Sequence, residues 1–186
     1  IVEITWPLKS YIENRSSNVI DSFFNQVRLK NIEIGAFHFG LQTDLCGNEE
    51  LIRSLYYANE LSKENNFEIN SALINDTPGF TWALAQILRK SNIPFLSLGM
   101  NSALSNFYST TNLPYLFYWE GQSGEKTLVW RCIDTKWAYL EGQISYQVYG
   151  NYSSMESKIT SLLQTLEQQN YPYDAVLINC ATGDNG

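Results

Sequence analysis

Apolar positions along this chain recur in two periods. Between Ser10 and Lys30, Ile20, Phe23, Phe24 and Val27 fall at i, i+3, i+4 and i+7, one face of a helix. "NEELIRSLYYANELSKENN" predicts a second helix, with Asn48 as its cap and Glu49 and Glu50 in the first turn, where carboxylates meet exposed N–H groups. "GFTWALAQILRKSN" predicts a third, with Pro94 beyond its end. "SSMESKITSLLQTLEQQN" predicts a fourth, capped by Ser154 and apolar at Ile159, Leu162, Leu163 and Leu166. The intervening runs are short and continuously apolar. "IEIGAFHFG", "FEINSALIND", "IPFLSLGMN" and "YDAVLINCATGDNG" each read as a strand buried on both faces. "PYLFYWEGQSGEKTLVWRCI" reads as two aromatic-rich strands around a turn with Gly121 and Gly124, and "KWAYLEGQISYQVYGNY" as irregular chain.

Alternating helices and uniformly apolar strands predict an α/β fold, a parallel sheet with covering helices. At 186 residues and 44% hydrophobic content, residues 1–186 can bury one core as a single domain, and no linker or repeat divides them. The chain begins at Ile1 and stops at Gly186 inside a motif-like stretch, so a piece of a longer protein is expected.

The net charge of −7, with no block of Lys and Arg, argues against nucleic acid or an anionic membrane as partner. No apolar run approaches the roughly 20 residues of a membrane span. Cys46, Cys132 and Cys180 are odd in number and have no C-x-x-C spacing, which predicts buried free thiols and fits a reducing, cytoplasmic compartment. Aromatics make up 14% of the chain; they fit a large core or rings that stack on sugars.

In parallel α/β folds, ligands bind beyond the carboxyl ends of the strands. Three predicted strands end in polar groups: Asp76, Asn101 and Asp184. Two carboxylates facing one cleft are the minimum set for glycoside hydrolysis. Each has a plainer reading. Asp76, before Thr77, Pro78 and Gly79, suits a helix cap; Asp184 in "GDNG" suits a turn; Asn101 can bond its own loop. Pattern alone leaves both readings of Asp76 open.

"INDTPGFTWALAQILRKSNIPFLSLGMN" resembles the catalytic domain of the family 38 glycoside hydrolases, the retaining zinc-dependent α-mannosidases, where an Asp ends a strand before a turn and a helix. The stretch resembles more closely still a bacterial, poorly characterised branch with a D-x-P-G-x-T-W pattern. "EITWPLKSYIENR", "RLKNIEIGAFHFGLQTDLCGNEELIRSLYYA" and "LFYWEGQSGEKTLVW" resemble other stretches of that domain, in order. The resemblance implies a fragment of a seven-stranded β/α barrel acting on carbohydrate. It implies Asp76 as nucleophile and zinc contact, and Asp184 as acid/base. Asp44, with Gln42 and Thr43, falls where the family carries a polar active-site motif, and Asn101, Tyr118 and Trp119 are the remaining candidates for sugar contact; Trp82 reads first as a helix residue. The family's other zinc ligands, a His-x-Asp pair and a distant His, are expected before Ile1 and after Gly186. The one histidine, His38, lies among aromatics and reads as a core residue. Thr77-Pro78-Gly79 departs from the mannosidases, which have a Phe near the Gly, so the sugar stays open. The rival readings are a metal-dependent polysaccharide deacetylase and a non-catalytic carbohydrate-binding relative.

Overall fold

The computed structural model describes residues 1–101, 104, 113–134, 140–148 and 150–180. Six strands and seven α-helices lie within them. In chain order they are β1 (Val2–Ile4), α1 (Thr5–Glu13), α2 (Ser17–Arg28), β2 (Ile34–Phe37), α3 (Asn48–Arg53), α4 (Tyr56–Asn65), β3 (Ser71–Thr77), α5 (Ala83–Lys90), β4 (Phe95–Met100), β5 (Leu116–Glu120), β6 (Lys126–Arg131), α6 (Glu141–Ile144) and α7 (Tyr152–Gln168). None of these helices is long and apolar enough to cross a membrane.

The strands form two sheets. β1 pairs in parallel with β2, and the second sheet runs β3-β4-β6-β5. β3, β4 and β6 are mutually parallel; β5 returns antiparallel to β6. β2 lies beside β3, so the sheets follow one another in space. This is an α/β architecture with parallel strands and covering helices. The described residues form six strands in two sheets, not a seven-stranded barrel.

The helix-facing core explains the apolar runs. Ala72 and Ile74 of β3, Leu96 and Leu98 of β4 and Val129 of β6 face outward, where Leu84, Ile87 and Leu88 of α5 and Leu51 of α3 cover them. A second cluster joins Leu8 of α1, Phe24 and Val27 of α2, Ile34 of β2 and Leu61 of α4. The strands' opposite faces, with Leu73, Asn75, Ser97, Leu128 and Trp130, line a cavity of about 960 Å³. Leu177, Ile178, Asn179 and Cys180 close part of it.

Several local expectations change. The helix of residues 10–30 divides into α1 and α2, and β1, three residues long, carries too little pattern to be seen. The helix beginning at Asn48 breaks after Arg53. There the Ser54 carbonyl accepts the His38 N–H at 2.8 Å, and the Ser54 hydroxyl donates to the Leu51 carbonyl at 2.6 Å, so Ser54 joins α3 to the end of β2. Gly47, not Asn48, stands at the cap of α3. Asn151, not Ser154, caps α7, its side chain accepting the Ser154 N–H at 2.8 Å. The final apolar run is not a strand over its described part: residues 171–180 pair with no sheet and are half-buried or exposed. Cys132 is buried, but Cys46 is half-buried and Cys180 exposed; all three are free thiols.

Candidate active site

β3 and β4 run side by side until their carboxyl ends, where the register slips. Asn75 pairs with Gly99 and Thr77 with Met100, so Asp76 is the extra residue of a bulge. Its φ is 58°, in the left-handed region that few non-glycine residues occupy. Bulges of this kind re-aim a side chain, and they gather at active sites. Here the result is an exposed carboxylate at the strand's end.

Asn101, just past β4, meets it. The Asn101 Nδ2 donates to Asp76 Oδ1 at 2.7 Å, the Asn101 N–H donates to the Thr77 carbonyl at 2.9 Å, and the Asn101 Oδ1 accepts the Leu104 N–H at 3.1 Å. Asn101 therefore bonds its own loop and also orients Asp76. On either side of Asp76, Asn75 Oδ1 and Thr77 Oγ1 are buried without a hydrogen-bond partner among the described residues. Such orphans are uncommon in folded proteins.

Asp76 does not cap the following helix. α5 starts at Ala83 with Trp82 in the cap position and no side-chain cap bond. Residues 78–82 are a turn held by a single 3₁₀ turn at Thr43–Leu45, where Thr43 Oγ1 accepts the Thr81 N–H at 3.2 Å. Asp44 in that turn lies against Gly79: a Cβ at Gly79 would stand 3.0 Å from Asp44 Oδ2. Glycine at 79 thus lets a second carboxylate approach the turn that follows β3.

The aromatic candidates fall elsewhere. Tyr118 pairs with Leu128 and Trp119 with Thr127. Leu128 pairs in turn with Phe95, the first residue of β4, whereas Asp76 stands beside Met100, the last. Tyr118 and Trp119 therefore sit toward the opposite end of the sheet from Asp76. Trp119 packs against the helix-facing core, and Trp82 Nε1 donates to the Glu120 carbonyl at 2.7 Å. Asp184 lies outside the described residues. Asp44, Asp76 and Asn101 are brought to one end; Tyr118 and Trp119 are not.

His38 Nδ1 lies 2.9 Å from Thr5 Oγ1, and its ring packs against Phe39 and Tyr57. Burial, and then the charge of Lys9, holds its pKa below the ordinary value. Among the described residues no three His, Cys, Asp or Glu side chains gather where a metal ion could be held. A catalytic zinc takes about three protein ligands, so the described residues do not by themselves make a zinc centre.

A second polar cluster escaped the sequence reading. Glu141 is fully buried in "WAYLEGQISY", a stretch whose aromatic composition hides the acid. Its Oε2 accepts the Asp134 N–H at 2.8 Å and its Oε1 the Asn179 N–H at 3.1 Å. Burial pushes its carboxyl up from 4.5 to about 7, against the pull of these backbone donors. Beside it, burial also raises the Cys132 thiol and the Tyr146 phenol.

No protein-family model matches this chain, and no curated protein sequence does. Solved structures match it in fold. A protein in glycosyl hydrolase family 38 from Enterococcus faecalis superposes with a TM-score of 0.59 at 14% identity, over 96% of this chain and 18% of that one. The fold resembles part of a family 38 glycoside hydrolase. An alpha-mannosidase from Enterococcus faecalis V583 gives a TM-score of 0.63 at 16% identity, over 89% of this chain and 18% of that one. A 4-alpha-glucanotransferase from Thermococcus litoralis gives 0.52 at 14% identity, over 67% of this chain and 20% of that one. The chain thus spans about a fifth of the length of these neighbours.

Proposed function

We propose that the intact protein is a retaining glycoside hydrolase acting on α-mannoside-type bonds, with Asp76 as its nucleophile. The observation that carries this reading is the bulge at Asp76. A bulged carboxylate, exposed at the carboxyl end of a parallel strand and oriented by Asn101 at 2.7 Å, is placed to act on a ligand beyond the strand ends. The family 38 protein and the alpha-mannosidase among the structural neighbours support a carbohydrate substrate, and the α-mannoside choice is this reading's own.

In the first step Asp76 Oδ2 bonds to the anomeric carbon as the bond to the leaving oxygen breaks. An acid, for which Asp184 is the candidate, supplies that oxygen's proton. In the second step the same group takes a proton from water, water attacks the anomeric carbon, and Asp76 departs as a carboxylate. The Asn101 amide holds Oδ1 throughout and fixes the direction of Oδ2. Zinc dependence belongs to this reading as a property of the intact protein; among the described residues Asp76 would contact the metal, which would polarise the sugar hydroxyls, and no step above passes through it.

A second outcome follows from the glucanotransferase among the neighbours. The same glycosyl-enzyme, met by a sugar hydroxyl instead of water, gives transfer. The deciding experiment is covalent trapping of the intact protein with fluorinated mannosyl and glucosyl fluorides, followed by peptide mass mapping. Label on the peptide containing Asp76 is the expected result, and the sugar that labels faster names the specificity. Label elsewhere, or no label in a protein that still cleaves aryl mannosides, overturns the assignment.

A further inference from the structure

Glu3 is the polar residue of β1, and the strand's alternation turns it away from the helices. Val2 packs with the cluster of α1, α2 and α4, and Ile4 with the cluster of α3 and α5. Successive strand residues face opposite sides, so Glu3 faces the inner side of the sheets. There it lines the cavity of about 960 Å³ together with Asn75 and Asp76 of β3. Glu3 and Asn75 also border a smaller cleft with Phe39 and Gly40, just past the end of β2.

The backbone holds Glu3 in place by a close approach. The register of β1 on β2 slips here, from Val2 beside Ile34 to Ile4 beside Phe37. Gly35 sits in the slip. A Cβ there would stand 2.4 Å from the Glu3 carbonyl oxygen, so a larger residue would push the two strands apart.

The Glu3 carboxylate is half-buried and, among the described residues, has no hydrogen-bond or ion-pair partner. The other carboxylates of the cavity are occupied: Glu33 accepts the Ser71 hydroxyl at 2.6 Å, and Asp76 accepts Asn101 Nδ2 at 2.7 Å. Two further groups of the same cavity lack partners. Asn75 Oδ1 has no donor, and on β6 the indole N–H of Trp130, a residue 9% exposed, has no acceptor. Polar groups so placed are rarely left unpaired in a folded protein. Acceptors and a donor in one cavity call for a ligand that both donates and accepts, and hydroxyl groups do both.

We infer that Glu3 is a substrate-contacting residue: its carboxylate accepts two neighbouring hydroxyls of the sugar ring held beside Asp76. The substrate class in this inference rests on the glycosidase reading, which it deepens. Two oxygens on one carbon suit two adjacent hydroxyls, and the charge strengthens both bonds. A site built this way rejects a sugar that lacks one of those hydroxyls, because the acceptor is then left unpaired. The exposed ring of Phe39 gives the cleft an apolar wall for the C–H face of the sugar.

The test is calorimetric binding of a non-hydrolysable methyl thio-α-mannoside and its monodeoxy analogues to the intact protein, in wild type and Glu3→Ala. At least one analogue is expected to bind the wild type about tenfold more weakly than its parent. Glu3→Ala is expected to weaken the parent by about tenfold, and that same analogue is expected to lose little more, the signature of a coupled pair. Glu3 has no partner in the described chain to lose, so the urea midpoint should hold. Glu3→Gln keeps the side-chain volume and serves if the alanine variant does not fold; it should show the same coupling at smaller size. Losses that are equal in wild type and variant for every analogue overturn the role of Glu3, and the glycosidase reading survives that result if label still traps on the peptide containing Asp76. Affinity unchanged in Glu3→Gln with a large fall in its unfolding midpoint overturns it too, by marking Glu3 as structural. If the folded wild type binds no mannoside and takes no label at Asp76, the glycosidase reading fails and the inference fails with it.

Discussion

Two carboxylates in this chain have opposite surroundings. Asp76 is exposed, sits in left-handed backbone and takes a side-chain bond from Asn101. Glu141 is wholly buried and accepts backbone N–H groups from separate segments, around residues 133–134 and at Asn179. The first spends backbone strain to present a charge to solvent. The second spends desolvation to hold two pieces of chain together. If Asp76 carries the proposed chemistry, substitutions at the two sites should move different observables.

The largest effect should be on catalysis. Asp76→Asn keeps the volume and the left-handed preference while removing the nucleophile. We expect kcat on an aryl α-mannoside to fall about a thousandfold or more, roughly 4 kcal/mol of barrier, with the unfolding midpoint almost unmoved. A variant with near wild-type turnover would leave Asp76 as a mere bulge residue.

Glu141 should govern pH-dependent stability instead. Its folded pKa, about 7, lies above its ordinary 4.5. The folded state therefore holds a proton that the unfolded state has lost, and the associated stability is full below pH 4.5 and lost as pH rises through about 7. The difference is on the order of 3 kcal/mol. Urea unfolding across this range should show the slope in the wild type and a flatter curve in Glu141→Gln. An equal slope in both would assign the linkage to another group.

The contrast between the two carboxylates also marks what the sequence could tell. Ala72, Ile74, Leu96, Leu98 and Val129 read as buried strand residues because helices cover their outer face, and the structure places them there. Asp76 was legible because it ends an apolar run before a Pro-Gly turn, a local signal. The bulge that holds Asp76 was not, since it depends on a register with β4 set by distant residues. Glu141 was illegible for the same reason: its donors come from residues 134 and 179, and no local pattern announces them. The final apolar run misled because an apolar run can line a cavity without pairing: Leu177 is exposed and Ile178 half-buried. Leu177 and Ile178 face the inner cavity without joining a sheet. Tyr118 and Trp119 read as sugar contacts by composition, while the antiparallel return of β5 carries them away from Asp76.

A smaller effect tests how Asp76 is aimed. Asn101→Ala removes the Nδ2 donor to Asp76 Oδ1 and also the Oδ1 acceptor for Leu104. Loss of one charge-assisted bond at an exposed carboxylate should cost about tenfold in kcat/KM. Asn101→Asp places a second carboxylate there, and it should cost more and shift the acid limb of the pH profile upward. Equal activity in all three proteins would separate Asn101 from the chemistry and leave it as a loop residue.

The smallest effect isolates the backbone. Asp76→Gly and Asp76→Ala both delete the carboxylate and its bond to Asn101, so neither should turn over substrate. They differ in what a φ of 58° costs. Glycine occupies that region freely, whereas alanine meets its own carbonyl oxygen there. Greater chain freedom in the unfolded state offsets part of glycine's advantage. The balance should leave the glycine variant more stable than the alanine variant by about 1 kcal/mol in urea unfolding. If the alanine variant is the more stable, the strand relaxes out of the left-handed region once the carboxylate is gone. The bulge would then be a consequence of the Asp76–Asn101 contact and not the frame that produces it.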